Sequence, residues 1–460
     1  MIGLTAEEVA TATRGRLIGD GAVRIDAVST DTRQLTDGAL FVALRGESAD
    51  GHDHLPDALR RGAGALLVER EVPDASVPVI VVEDTWAALA DLGVAVRRRV
   101  GPRAVAITGS LGKTTTKDLI AAAVGAGRRV VAARGSFNNE LGVPLTMLAL
   151  EEDTEVLVTE IGARHVGDIA ALAPLVSPEV AVVTAVAPVH LEVFGSVEAV
   201  ARGKAELVEA LGPDGVAVLN LEDEWVAAMA ERAPRVLGYA IDGDADVRAI
   251  DVALDESARA SFTAVTPWGC ARVRLPLAGR HHVGNALAAL AVAGHLGVDL
   301  AEAAAALEQA AVSPWRGEVL DAGGVRVLND AYNANPTATI AALETLTAIQ
   351  RTGRSWAVLG TMAEIGEQAD AEHRRVGERC AALGVDRLVA VGEHAHDYAA
   401  GAAAGGLDAA AITEVTDADA ALEHLLGDVG PGDAVLVKAS RVAGLERVAA
   451  GLVERREGAA

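Results

Sequence analysis

Short apolar, β-branched runs alternate along the chain with longer Ala- and Leu-rich segments of helical period. That alternation predicts an α/β fold with mostly parallel sheets covered by helices. The runs Ala104 to Thr108, Glu155 to Glu160, Val180 to Val186, Val216 to Leu219, Val325 to Asn329, Ser355 to Leu359, Arg387 to Val391 and Ala434 to Lys438 read as strands, each leading through turn residues into a helix. The clearest helical segments are Lys117 to Val124, Val197 to Leu211, Val283 to Leu296 and Thr337 to Gln350. Their many alanines favour helix and allow close packing on a sheet. Two breaks divide the chain: Arg97 to Arg99 before Gly101-Pro102, and Ser313-Pro314 after the Ala-rich helix near Ala301 to Ala311. Three domains are expected, at 1–102, 103–313 and 314–460.

Composition narrows the function classes. Lys plus Arg is 40 against 65 Asp plus Glu, a net charge of −25, and so acidic a surface repels nucleic acid and anionic membranes. An anionic ligand must then be held by local cations and oriented backbone amides. The two cysteines, Cys270 and Cys380, belong to no metal-ligand or disulfide pattern. Met1 to Glu8 carries no basic leader, and the longest apolar stretch, Val180 to Leu191, is interrupted by Thr184, Pro188 and His190. A soluble, cytoplasmic, monomeric protein with small-molecule partners is expected, with no integral membrane contact.

The strand Ala104 to Thr108 runs into Gly109-Ser110-Leu111-Gly112-Lys113-Thr114-Thr115 and then a helix, the context a P-loop requires. Glycines let backbone N–H groups converge on phosphate oxygens, and the helix N-terminus adds fixed positive charge. Lys113 is positioned for the β and γ phosphates, and the Thr114 hydroxyl for Mg²⁺. The spacing is unusual: Ile107 stands where the common P-loop has its first glycine. ATP is the expected nucleotide, against the blander reading of a tight turn beside a solvated lysine. Glu160 ends a strand beside this loop and His190 follows the next one, so both lie at the carboxyl edge of the sheet, where ligands bind. Each alone also reads as a hydrogen-bonded strand-end side chain. Lys204, taken bare, is a solvated lysine on a helix.

The loop Thr108 to Thr114 resembles that of the Mur ligases, the ATP-dependent amide-forming enzymes of peptidoglycan precursor synthesis. Further similarity lies at Ser29 to Arg33, Asn138 to Pro144, His190 to Ser196 and Lys438 to Arg441, which together span nearly the whole chain. Most specific is Asp330-Ala331-Tyr332-Asn333-Ala334-Asn335-Pro336, similar to the block of those members that join D-alanyl-D-alanine to a UDP-muramoyl tripeptide. The resemblance implies a first domain for the UDP end, a central P-loop domain for ATP and a Rossmann-like third domain for the amine. It implies Mg²⁺ held by Thr114, Glu160, His190 and a carbamylated Lys204, with Lys113, Glu160, His190 and Lys204 as the catalytic set.

The resemblance extends to other contacts. Asn285, in Gly279 to Asn285, matches an adenine-side asparagine, while His282 stands where the family has another. Arg316 and Asp330 match phosphate and ribose contacts, although an interdomain salt bridge would place the same types there. Ser29, Asp31, Arg33 and Arg45 match UDP-binding loops, or make an ordinary charged turn. Asn138, Asn139, Asn333, Asn335, Lys438, Ser440 and Arg441 match substrate contacts, with Ala439 in place of the usual glycine. The alternatives are a Mur ligase that adds the third amino acid to the dipeptide precursor, which the block at Asp330 disfavours, and a non-catalytic nucleotide sensor, which would lack the metal ligands.

Overall fold

The computed structural model describes residues 1–46, 49–189 and 191–457. A five-stranded sheet near the N-terminus runs in the order Arg16–Ile18, Val79–Val81, Ala65–Val68, Leu40–Val42 and Val28–Ser29, parallel except at its first pair. A nine-stranded sheet follows, and its parallel part runs Val247–Leu254, Val236–Ala240, Val216–Asn220, Val180–Val183, Arg103–Thr108, Val156–Glu160 and Val130–Ala132. Arg259–Thr266 and Gly269–Ala278 extend it antiparallel. The last sheet has six strands: Glu318–Asp321 antiparallel at one edge, then Arg326–Asn329, Ala434–Lys438, Ser355–Leu359, Arg387–Val391 and Ile412–Val415, all parallel. All eight expected strands are present, and the fold class is the expected α/β.

The P-loop strand lies inside the large sheet and is buried on both faces, as parallel strands are. Ala104 and Ala106 face a core that continues into the N-terminal sheet through Leu40, Leu67 and Ile80. Val105 and Ile107 face the opposite core, against Ile120, Val124 and Leu290. The last sheet has its own two cores, around Leu359 and Tyr398 on one face and Val358 and Leu452 on the other.

Two boundaries differ from the sequence expectation by more than two residues, and several strands lie outside it. The run Val180 to Val186 is a strand only as far as Val183, because the backbone beyond it turns to the P-loop: Ser110 donates its N–H to the Ala185 carbonyl at 2.7 Å. The P-loop helix begins at Lys113 rather than Lys117. Among the strands outside the expected set are those from Val247 to Ala278, where Arg248, Asp251, Arg272 and Arg274 interrupt the apolar runs.

Candidate active site

Strand, loop and helix meet at a cleft of about 1040 Å³ between the large sheet and the last one. Gly109 has φ 144° and Gly112 φ 75°, backbone that favours glycine. The space is tight as well: a Cβ at Gly109 would collide with Thr184 Oγ1, and one at Gly112 would stand 2.8 Å from Asn285 Oδ1. Gly112 caps the helix without any side-chain bond, which leaves first-turn N–H groups open to an anion. Ser110, Leu111 and Thr115 line the same cleft. Lys113 Nζ donates to its own loop at the Gly109 carbonyl, 2.7 Å away. Burial lowers its pKa; the Glu160 charge opposes the shift and Arg316 adds to it.

Thr114 and Glu160 are buried at 2% and 1% exposure. Thr114 Oγ1 donates to Glu160 Oε2 at 2.7 Å, and Asn138 Nδ2 donates to Glu160 Oε1 at 2.8 Å. Carboxylate and hydroxyl oxygens form the donor set a hard divalent cation prefers. Lys204, on the helix Val197–Glu209, is 1% exposed rather than solvated. Its Nζ lies 5.8 Å from the Phe194 ring centroid. Burial, and then the Lys113 charge, lower its pKa to about 7 against the pull of Asp168, Glu206 and Glu160. His190 lies outside the described residues.

The far wall comes from the C-terminal part of the chain. Arg316 Nη2 donates to Ser136 Oγ at 3.0 Å, while its guanidinium stacks 3.9 Å above the Tyr332 ring. Ser136 Oγ lies 3.0 Å from Thr114 Oγ1, so Arg316 joins a chain of contacts that reaches the P-loop. Asp330 faces its own sheet: it accepts from the Gly317 N–H at 3.2 Å and pairs with Lys438 Nζ at 2.5 Å. Lys438, 2% exposed, also donates to the Asn333 carbonyl at 3.0 Å. Arg316 therefore makes the contact across the cleft, and Asp330 does not.

Several expected contact residues also have structural partners. Asn335 caps the helix Pro336–Ala348 by accepting the Ala338 N–H, and Asn139 accepts the Gly142 N–H at the start of Gly142–Leu148. Asn333 Oδ1 accepts the Ala334 N–H. Asn285 lies 3.1 Å from His282 Nδ1, whose other ring nitrogen is buried and unpartnered. Ser440 accepts the Ala363 N–H. Arg441 pairs with Glu446 at 2.6 Å and stacks on Trp315. Ser440 and Arg441 are not part of the cleft lining, whereas Lys438, Asn333 and Asn335 are.

Ser29, Asp31, Arg33 and Arg45 lie on the N-terminal sheet and its loops, away from this cleft. Ser29 Oγ donates to the Asp31 carbonyl, and the Arg33 guanidinium, 2.7 Å from Asp31, holds that carboxyl down at about 2. Arg45 reaches Glu69 at 3.5 Å and Asp50 at 3.6 Å.

Ser136 lies outside the expected contacts, because no motif singles it out, although it directly precedes Phe137-Asn138-Asn139. Arg164, likewise outside the expected contacts, lines the cleft and pairs at 3.3 Å with Glu364 of the C-terminal part of the chain.

Three family models match the chain: the Mur ligase family catalytic domain over residues 24–97, the Mur ligase middle domain over 107–293, and the Mur ligase glutamate ligase domain over 315–441. The UDP-N-acetylmuramoyl-tripeptide–D-alanyl-D-alanine ligase of Mycobacterium tuberculosis is 43% identical, with 98% of each chain covered. The ligase of the same name from Escherichia coli is 37% identical, with 99% of each covered. A crystal structure of MurF from Acinetobacter baumannii superposes with a TM-score of 0.89 at 32% identity, covering 98% of this chain and 99% of that one. MurF ligase from Thermotoga maritima, solved in complex with ADP, gives 0.79 at 28% identity, covering 94% of this chain and 98% of that one. With its glycine-lined phosphate loop, a buried carboxylate beside it and full-length similarity to these enzymes, the chain belongs to the Mur ligase family.

Proposed function

We propose that the chain joins D-alanyl-D-alanine to UDP-N-acetylmuramoyl-tripeptide at the expense of ATP, a cytoplasmic step of peptidoglycan precursor synthesis. The observation that carries this reading is one cleft in which an open phosphate loop, the Glu160 carboxylate and the cations Lys113 and Arg316 converge. Full-length relatives named for that reaction support the choice of substrates.

A carboxylate lacks a good leaving group, so the tripeptide carboxylate oxygen attacks the γ-phosphorus of ATP and the bond to the ADP oxygen breaks. The amine nitrogen of D-alanyl-D-alanine then adds to the carbonyl carbon of the acyl phosphate, inorganic phosphate leaves, and the nitrogen gives up its proton. The first step brings two anions together and requires charge neutralisation. The loop amides of Gly109 to Thr115 and the Lys113 ammonium face the phosphates, and Arg316 approaches from the opposite wall. Thr114 and Glu160, with His190 and Lys204, would hold Mg²⁺, which when bound supplies further positive charge. Lys204 ligates only as a carbamate, formed when its neutral amine adds CO₂ and loses a proton; a pKa of about 7 keeps enough neutral amine for that.

In this reading residues 1–102 hold the UDP end through Ser29, Asp31, Arg33 and Arg45. Residues 103–313 hold ATP, with Asn285 on the base side, and present Asn138 and Asn139 to the muramoyl peptide. Residues 314–460 supply Arg316 and Asp330 to the nucleotide, and Asn333, Asn335, Lys438, Ser440 and Arg441 to the incoming dipeptide. All these groups come from one chain, in keeping with a monomer. Among the described residues no helix is long and apolar enough to cross a membrane.

Phosphate release with ATP, Mg²⁺ and UDP-muramoyl tripeptide, with and without D-alanyl-D-alanine, tests the proposal. Release that depends on the dipeptide is expected. Preference for a free diamino acid with UDP-muramoyl dipeptide would move the chain to another branch of the family.

A further inference from the structure

One fully buried charge belongs to neither the phosphate loop nor the candidate metal ligands. Lys117 stands one turn beyond Lys113 on the P-loop helix and is 1% exposed. Its ammonium donates to the Ala133 carbonyl at 2.6 Å and the Gly135 carbonyl at 2.8 Å, and meets Asp118 Oδ1 at 2.8 Å. Three acceptors match the three N–H donors of the group. The other Asp118 oxygen, Oδ2, accepts the Ser313 N–H at 2.7 Å.

These contacts tie together three segments, the last of them 195 positions from Asp118. The carbonyls of Ala133 and Gly135 belong to the loop that carries Ser136 and Asn138, which touch Thr114 and Glu160. Ser313 opens the linker that carries Arg316, which returns to Ser136. Two routes therefore run from the P-loop helix to the same serine, one through the loop and one through the linker. A lone surface lysine would have no such register, and a purely apolar helix turn would leave the loop carbonyls and the Ser313 amide without partners.

We propose that Lys117 and Asp118 form a positioning pair that sets the Ser136–Asn138 loop and the Arg316 linker in register with the phosphate loop. The proposal rests on the ligase reading above for the reaction it serves, but the contacts themselves do not depend on the identity of the amine. Neither residue lines the cleft. Both act through Ser136, Asn138 and Arg316, so their loss should lower turnover without altering recognition of the dipeptide.

The test is a mutant cycle on the full chain with Lys117→Met, Asp118→Asn and Ser136→Ala, singly and with each of the first two combined with the third. Phosphate release gives kcat and the KM of each substrate, and calorimetry gives the affinity for ADP with Mg²⁺. Lys117→Met and Asp118→Asn should each lower kcat tenfold or more and leave the KM for D-alanyl-D-alanine within twofold. Ser136→Ala should cost much less in either of those backgrounds than alone. Asp118→Asn is nearly isosteric and carries the cycle if Lys117→Met fails to fold. Costs that simply multiply, or an unchanged kcat, would overturn the proposal. If the unmutated chain forms no amide the ligase reading fails instead, and the same cycle read in ADP affinity still decides whether the pair is coupled to Ser136.

Discussion

Replacing Lys204 by methionine tests the electrostatics of the cleft, because the two side chains are close in shape and only one titrates. Burial first, then the Lys113 charge, lower the Lys204 pKa from 10.5 to about 7. In the unfolded chain the amine keeps its ordinary value. Between those two values the unfolded chain holds a proton that the native state lacks, so the group makes stability rise with pH by about 1.4 kcal/mol per pH unit. Below about pH 7 both states are protonated, and the fold bears the whole cost of a buried ammonium, about 5 kcal/mol. The methionine variant should therefore be the more stable protein in acid, and its advantage should narrow by about 3 kcal/mol between roughly pH 6 and pH 9. Urea unfolding at matched pH in carbon-dioxide-free buffer, followed by circular dichroism, measures the difference while titrations common to both proteins cancel. The variant should also be inactive, whereas activity of the unmutated chain in bicarbonate buffer should climb through pH 7 as the amine becomes neutral. A difference that stays flat across the range would refute the lowered pKa and remove the basis for carbamate formation.

Gly109→Ala should abolish turnover and lower stability by about 1–3 kcal/mol, since φ 144° and the Thr184 hydroxyl both exclude a side chain there; phosphate release and a melting curve read the two effects. Lys113→Ala should lose turnover but melt close to the unmutated chain, because among the described residues the ammonium hydrogen-bonds to its own loop alone. Asp330→Asn leaves the buried Lys438 ammonium without its counter-charge, and a loss of about 3 kcal/mol is expected in urea unfolding.

Features whose neighbours along the chain are also partners in space are legible without coordinates. The phosphate loop is legible because strand, glycines and helix start are contiguous, and the large parallel strands because burial on both faces leaves continuous apolar runs such as Val180 to Val183. The block from Asp330 to Pro336 is likewise contiguous, and it carried the family resemblance.

Which distant side chains meet is set by the packing of the folded chain. That packing pairs Lys438 with Asp330 across 108 positions and brings Arg316 to Ser136 across 180. It turned Lys204 from a helix-surface lysine into a buried base. It also revealed the antiparallel strands from Val247 to Ala278, whose alternating arginines hide the apolar face. The physical reason is that periodicity along a chain records how much each position is buried, which is a local property. A hydrogen bond between distant segments depends instead on how packed layers close on one another, and no single segment carries that information.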